Sequence, residues 1–363
     1  MALISEMVVR AGMDQMPSLA GWIAEQELGG LDDPVRAGAA AHDLVELGLL
    51  ALPQPGAGRT RDRLAALVLI GAADCVLARL AEGHADAVAI LNELSAPPPT
   101  PGDLWGVWAA QPPGSAGVRA QLSDGEWQVY GDKPYCSGAG ACDWALVTGG
   151  AEDGGRLFAV ALHQPGVGPV DGTWPAIGMA GSDSRTVRFT GARATAVGEP
   201  GAYLERPGFW HGAVGVAACW LGGALGVAQT LTAAGRSRPL GPHAAAHLGS
   251  VDAAITAMEA VLLAAADSID RDPCDLEGRT SIIARRTRSV VEKGSTEVID
   301  LVGRALGAAP LSLNRTHSRR VVDLMVYLRQ SHAERDLEEL GRMTLELSAD
   351  LDWLTTGLGG GES

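Results

Sequence analysis

The sequence predicts an α+β protein in which helices, then strands, then helices again follow one another along 363 residues. Three observations lead there. Ala and Leu recur at helical spacing over residues 1 to about 95. The run APPPTPG, Ala96 to Gly102, then stops helix formation, because consecutive prolines cannot continue it. Beyond it Trp, Val, Thr, Tyr and Gly take over in short runs until about Gly198, and helical texture returns from about Pro207. The expected division is 1–101 helical, 102–200 strand-rich and 201–363 helical.

The first part is carried by VRAGAAAHDLVELGLLAL and RDRLAALVLIGAADCVLARLAEGHADAVAILNEL. In the middle part LWGVWAA, VRAQLSDGEWQVYG, WALVTGG, RLFAVALH and TVRFTGARATAV read as strands, and Asp124-Gly125 between two of them signals a hairpin. No helix separates the strands as a βαβ unit requires, so an antiparallel barrel or sandwich is expected. The third part predicts helices over Phe209–Ala234, Pro242–Ile269 and Arg279–Leu306, with a last pair across Arg319–Leu354. Within it, Gly212 to Gly235 carries no charge and holds Gly222 and Gly226 at GxxxG spacing. Its Gly/Ala content and poverty in Leu, Ile and Phe read as a buried core helix, not a membrane span. The tail GLGGGES reads as disordered.

A net charge of −15 argues against nucleic acid or an anionic membrane surface as a general partner. The five cysteines are odd in number and none is spaced CxxC, so reduced thiols and a cytoplasmic location are expected. The N-terminus shows no basic stretch followed by an apolar one, as a signal peptide requires.

Several motifs carry little. SGAGAC suggests a phosphate loop, but another strand-like run follows it where a helix N-terminus is needed. His243 and His247 form an i,i+4 pair without an acidic neighbour or a third ligand, so no metal site is expected. Cys136 and Cys142 read as packing thiols, since only Lys133 is basic beside them. RRVVDLMVYLRQSHAERDLEELGR, Arg319 to Arg342, reads as one helical stretch with charge pairs.

Taken together, three stretches resemble the acyl-CoA dehydrogenase superfamily. Gly131-Asp132-Lys133-Pro134-Tyr135-Cys136-Ser137 is similar to the family's G-x-K-x-W-I-T, which lines the flavin. GMAGSDSRTVRFTGARATAV matches the segment leaving the β-domain through Gly178, Ser182 or Ser184, Val187 and Phe189. Gly307, Arg319 and Asp323 fall at the spacing of the family's GGxG…ER…RD run.

The resemblance implies an N-terminal helical domain, a middle antiparallel β-barrel and a C-terminal four-helix bundle. It implies FAD, with Tyr135 as an aromatic wall, Cys136 in the apolar position, and Ser137 offering a hydroxyl to flavin N5. It further implies a pyrophosphate contact from Arg236 or Arg238, a second contact at Gly307, and so a homodimer or homotetramer.

The chain departs from the family at two places. The flavin loop reads AQPPGSAG, Ala110 to Gly117, leaving Gln111 and main-chain amides to make its contacts. The catalytic glutamate, eight residues after the RD aspartate, falls on Ser331; His332 and Glu334 follow as substitute bases. The family's alternative glutamate position, near Gly212 to Val216, holds no acid, though His211 adjoins it. The expected activity is α,β-dehydrogenation of an acyl-CoA or acyl-carrier thioester with hydride transfer to FAD, and an electron-transfer flavoprotein as acceptor. A flavin-dependent monooxygenase of the same superfamily and a non-catalytic flavoprotein are the alternatives.

Overall fold

The computed structural model describes residues 6–9, 12, 16–111, 114 and 116–349. Part of the Gln111–Gly117 loop and the GLGGGES tail lie outside the described residues. Five helices come first: α1 (Glu6–Val9), α2 (Met16–Glu25), α3 (Pro34–Glu46), α4 (Thr60–Ala73) and α5 (Cys75–Glu93). Asp74 caps α5 by accepting from the amides of Val76 and Leu77, at 2.8 and 3.0 Å. The chain leaves α5 just ahead of the prolines, as their lack of a donor dictates.

Seven strands follow: β1 (Trp105–Trp108), β2 (Val118–Ser123), β3 (Glu126–Lys133), β4 (Trp144–Ala151), β5 (Gly154–Ala161), β6 (Val167–Pro169) and β7 (Val187–Val197). The order β4-β2-β3-β7-β5 closes on itself through β4–β5, while β1 adds to β4 and β6 to β7. Asp124 and Gly125 both have positive φ, the two-residue turn that joins strands of native twist. The expectation of an antiparallel sheet needs correction. β1 runs parallel to β4, and β2 meets β4 in parallel at Arg119–Gly150. The edge of β4 away from β5 is thus shared by two strands, which closes a small barrel.

Both faces of β4 and β5 are covered. Val147, Phe158 and Val160 join the main core, whereas Leu146, Leu157 and Ala159 pack on Ala87, Ile90 and Leu91 of α5. Helix α5 is therefore the seam between barrel and helices.

The third part holds α6 (Ala202–Glu205), α7 (Gly208–Ser237), α8 (Pro242–Arg271), α9 (Thr280–Leu306), α10 (Ala309–Leu313), α11 (Arg315–Tyr327) and α12 (Glu334–Ala349). Both α7 and α8 are long and apolar enough to cross a membrane, but the most apolar stretch of α7 is 83% buried inside the protein. Its glycines explain the close packing: a Cβ on Gly222 would meet the Val68 carbonyl oxygen at 2.4 Å, so α4 and α7 cross nearly backbone to backbone. One buried clamp fastens the three parts together. Arg319 of α11 pairs with Asp74 and Asp323 and donates to the Leu28 carbonyl, while Asp323 accepts from the Met179 amide at 2.6 Å.

The pair of helices expected across Arg319–Leu354 is α11 and α12, parted by a break. A single 3-10 turn, Leu328–Gln330, follows α11, and Ala333 takes a left-handed φ of 44° before α12 begins. Polar groups hold the break open: Ser331 Oγ accepts from the Ala333 amide, and Asp336 accepts from the His332 amide.

Candidate active site

Where β3 ends, Lys133 turns into the barrel, wholly buried, and donates to the Thr148 carbonyl and hydroxyl at 3.0 and 2.7 Å. Burial lowers its pKa to about 8. The following turn splits the next side chains by environment. Tyr135, at φ 57°, stands 56% exposed; Cys136 is buried and its thiol donates to the Lys133 carbonyl. Burial pushes that thiol well up, so it packs and does not react. Ser137 lies almost fully inside.

This turn is zipped to the loop before β7. The amides of Cys136, Gly138 and Ala139 donate to the carbonyls of Arg185, Ser182 and Asp183, and that of Ser137 to Tyr135. The Ser137 carbonyl accepts from the Trp108 indole at 3.0 Å. The zip brings three hydroxyls into a line: Ser137 Oγ lies 2.8 Å from Ser184 Oγ, which lies 2.8 Å from Ser182 Oγ.

Helix α5 supplies the other wall. Arg79 Nε donates to Ser137 Oγ at 3.2 Å, and the same guanidinium pairs with Glu82 one turn on. Burial raises the Glu82 pKa to about 7 although Arg79 opposes it. Behind this pair, the charges of Arg63 and Asp86 act on Glu82. Tyr327 of α11 is buried edge-on against Trp220, beside the Cys219 thiol and the Arg79–Glu82 pair. Arg288 of α9 lies 4.6 Å over the Trp220 ring. The result is a buried, strongly polar cluster behind the Tyr135–Ser137 turn, in which Glu82 can carry a proton and Ser137 Oγ keeps one hydrogen-bonding position open.

The other residues expected at the site are placed elsewhere within this chain. His332 lies in the break before α12, its side chain 62% exposed and 3.7 Å from Asp336; Glu334 is exposed beside it. Gln111 is exposed and lies over Gly117. Arg236 and Arg238 stand exposed at the C-terminal end of α7, about 25 Å along the helix from Cys219. Gly307 is the exposed C-cap of α9 at φ 70°. His211 is buried on α7, its pKa lowered by burial and its Nε2 without a hydrogen-bond partner.

Sequence reasoning missed Arg79, Glu82 and Tyr327. The one signal was local: RLAEGHAD places four ionisable residues in a helix that is otherwise apolar from Cys75 to Leu91, which a solvated face does not do.

No protein-family model and no curated protein matches the sequence. Solved structures do match in fold. The dibenzothiophene monooxygenase TdsC from Paenibacillus sp. A11-2, holding FMN and indole, aligns with TM-score 0.76 at 19% identity, over 91% of this chain and 96% of that one. Methanesulfinate monooxygenase MsuC from Pseudomonas fluorescens gives 0.75 at 17% identity, over 92% and 97%. A glutaryl-CoA dehydrogenase from Mycobacterium smegmatis with FADH2 gives 0.77 at 14% identity, over 94% and 95%. The fold is thus that of the acyl-CoA dehydrogenase-like flavoproteins.

Proposed function

We propose that this protein is a flavin-dependent oxidoreductase whose flavin ring lies against the Tyr135–Ser137 turn, and that it oxygenates a small polar substrate. The residues fit such a group. Tyr135 offers an open aromatic face held outward by its left-handed backbone, Cys136 packs inward, and Ser137 Oγ, which accepts from Arg79 and pairs with Ser184, keeps one hydrogen-bonding position open. Flavin supplies the redox chemistry when bound; the chain's own part is to hold it, exclude water and place the substrate against the Arg79–Glu82 wall. Arg236 and Arg238 stand about 25 Å along α7 from Cys219, so the adenine half of FAD would take them, together with Gly307, from a second copy of the chain.

The observation that carries oxygenation over thioester desaturation is the position of the substitute bases. Desaturation needs a base across the substrate from the flavin. Ser331 occupies the glutamate position, and His332 and Glu334 turn to solvent. One observation favours desaturation instead: Glu82, one side chain from Ser137 and titrating at about 7, is a buried carboxylate able to take a proton. Anaerobic addition of acyl-CoA thioesters to the flavin-loaded protein separates the two readings. Oxygenation predicts no loss of the oxidised flavin spectrum. Bleaching that Glu82→Gln abolishes overturns it in favour of desaturation, with an electron-transfer flavoprotein as the natural acceptor. Protein that binds neither FMN nor FAD overturns both and leaves a non-catalytic scaffold.

A further inference from the structure

The buried cluster behind the flavin turn contains two opposite charges that act on each other without meeting. Arg63 of α4 is 5% exposed, and among the described residues its guanidinium makes one hydrogen bond, from Nη1 to the Pro53 carbonyl at 3.2 Å. Asp86 of α5 lies one turn beyond Glu82 and against α7, where a Cβ on Gly212 would stand 2.7 Å from its Oδ1. Among the described residues its carboxylate has neither a hydrogen bond nor an ion pair.

The neighbours leave these two for each other. Three cations act on Asp86, namely Arg206, Arg63 and Arg79. Arg206 is paired with Glu93 and Arg79 with Glu82, which leaves Arg63. In return, Asp86 is the carboxylate that acts most strongly on Arg63. Burial is the main influence on both, raising the carboxyl and lowering the guanidinium, so each charge is costly where it stands. Packing seals off Arg206 Nε and His211 Nε2 nearby, but not the free atoms of Arg63 and Asp86.

A charged donor and a charged acceptor held apart are both satisfied by one group that accepts from the first and donates to the second. The sign of the surroundings decides what that group is. Arg63, Arg79 and Arg206 stand against Glu82, Asp86 and Glu93, while burial keeps His84 and His211 neutral. An added ammonium or carboxylate would unbalance this set. A neutral group would not.

We infer that Arg63 and Asp86 together recognise a neutral hydroxyl or carboxamide on the substrate, at its end away from the flavin. This rests on the flavin reading above and names the class of its substrate. From Arg79, which touches Ser137, to Asp86 is about 10 Å along α5, so the recognised group stands about that far from the flavin turn.

Four probes with one common body separate the chemistries. Benzamide donates and accepts, and N,N-dimethylbenzamide only accepts. Benzoate accepts as an anion, and benzylammonium donates as a cation. Their affinities for the flavin-loaded protein are measured by titration calorimetry, with Asp86→Asn and Arg63→Gln beside the unaltered chain.

Benzamide should bind the unaltered protein at least about tenfold tighter than each of the other three. Asp86→Asn keeps the shape but leaves Arg63 without its counter-charge, and should move the preference to benzoate. Arg63→Gln leaves Asp86 alone and should move it to benzylammonium; if that variant does not fold, the swap in Asp86→Asn decides. Equal affinities, or no binding of any probe, in unaltered protein that holds flavin overturn the inference and spare the flavin reading, the two side chains then meeting water only. Folded variants that weaken all four probes alike also overturn it, since lost packing predicts that. Protein that binds neither FMN nor FAD overturns the flavin reading, and the assignment of this pair to a substrate with it.

Discussion

Two buried arginine–carboxylate groups lie against α5, and they differ in one respect. At the N-terminus of α5, Arg319 meets Asp74 and Asp323, and those carboxylates also receive the amides of Val76, Leu77 and Met179. Both of its carboxylates are fully paired within the fold, and Arg319 Nε is the side-chain atom of the group left without a hydrogen-bond partner. One turn further on, Arg79 meets Glu82 and a serine hydroxyl that keeps one hydrogen-bonding position open. The first group holds helix, helix and loop in register. The second ends in unspent hydrogen-bonding capacity, and a buried group of that kind is where a ligand gains most.

The largest loss is expected at the Arg319 group. Arg319→Met leaves two buried carboxylates without their cation, and the loss should be about 3–5 kcal/mol in denaturant unfolding. A loss under about 1 kcal/mol would show that the clamp holds nothing.

A third ionisable residue of α5 gives the next largest effect. His84 Nδ1 accepts from the Trp105 amide at 3.2 Å, so protonation sets a proton against a donor. Burial lowers the His84 pKa to about 4. A lowered folded-state value gives stability that is complete above the ordinary pKa of 6.5 and is lost as pH falls towards 4. The loss there is about 3 kcal/mol. Thermal unfolding of His84→Gln should show a visibly smaller drop between pH 7 and 4.5.

At the open group the effect is smaller and carries its own pH signature. Arg79→Gln should cost about 1–3 kcal/mol, because Glu82 can neutralise itself by taking a proton. The Glu82 pKa is already raised to about 7, and a raised acid loses stability as pH rises through its folded value. Without Arg79 that value rises further, so the extra cost should appear above pH 7 and fade below it. A cost equal at pH 6 and pH 8 would place the arginine's role in packing alone.

His332→Ala should do least. An exposed side chain beside Asp336 is expected to change stability by less than about 0.5 kcal/mol and to leave flavin affinity unaltered. A large loss of either would bring the break before α12 back into the site.

Much of the fold was legible along the chain. Asp124-Gly125 became the expected hairpin turn, the prolines after Ala96 separate helix from strand, and the Gly/Ala run became the buried α7. Each of these is a local preference of backbone or side chain. The parallel pairings of β4 were not legible, because they join residues some forty positions apart that carry no mark of direction. Nor was the end of α11 at Tyr327, since RQSHAERD has helical composition and the break depends on Ser331 and Asp336 finding amides.

The candidate site divides in the same way. The Tyr135-Cys136-Ser137 turn and the serines before β7 are legible along the chain, since their glycines and hydroxyls form a recognisable pattern. What faces them is set by packing between distant segments. Arg79 and Glu82 sit in a helix whose isolated form would leave them in water. The barrel on one side and α7 on the other bury them. Burial changes an ordinary i,i+3 pair into a cation aimed at Ser137 and a carboxyl titrating near neutrality.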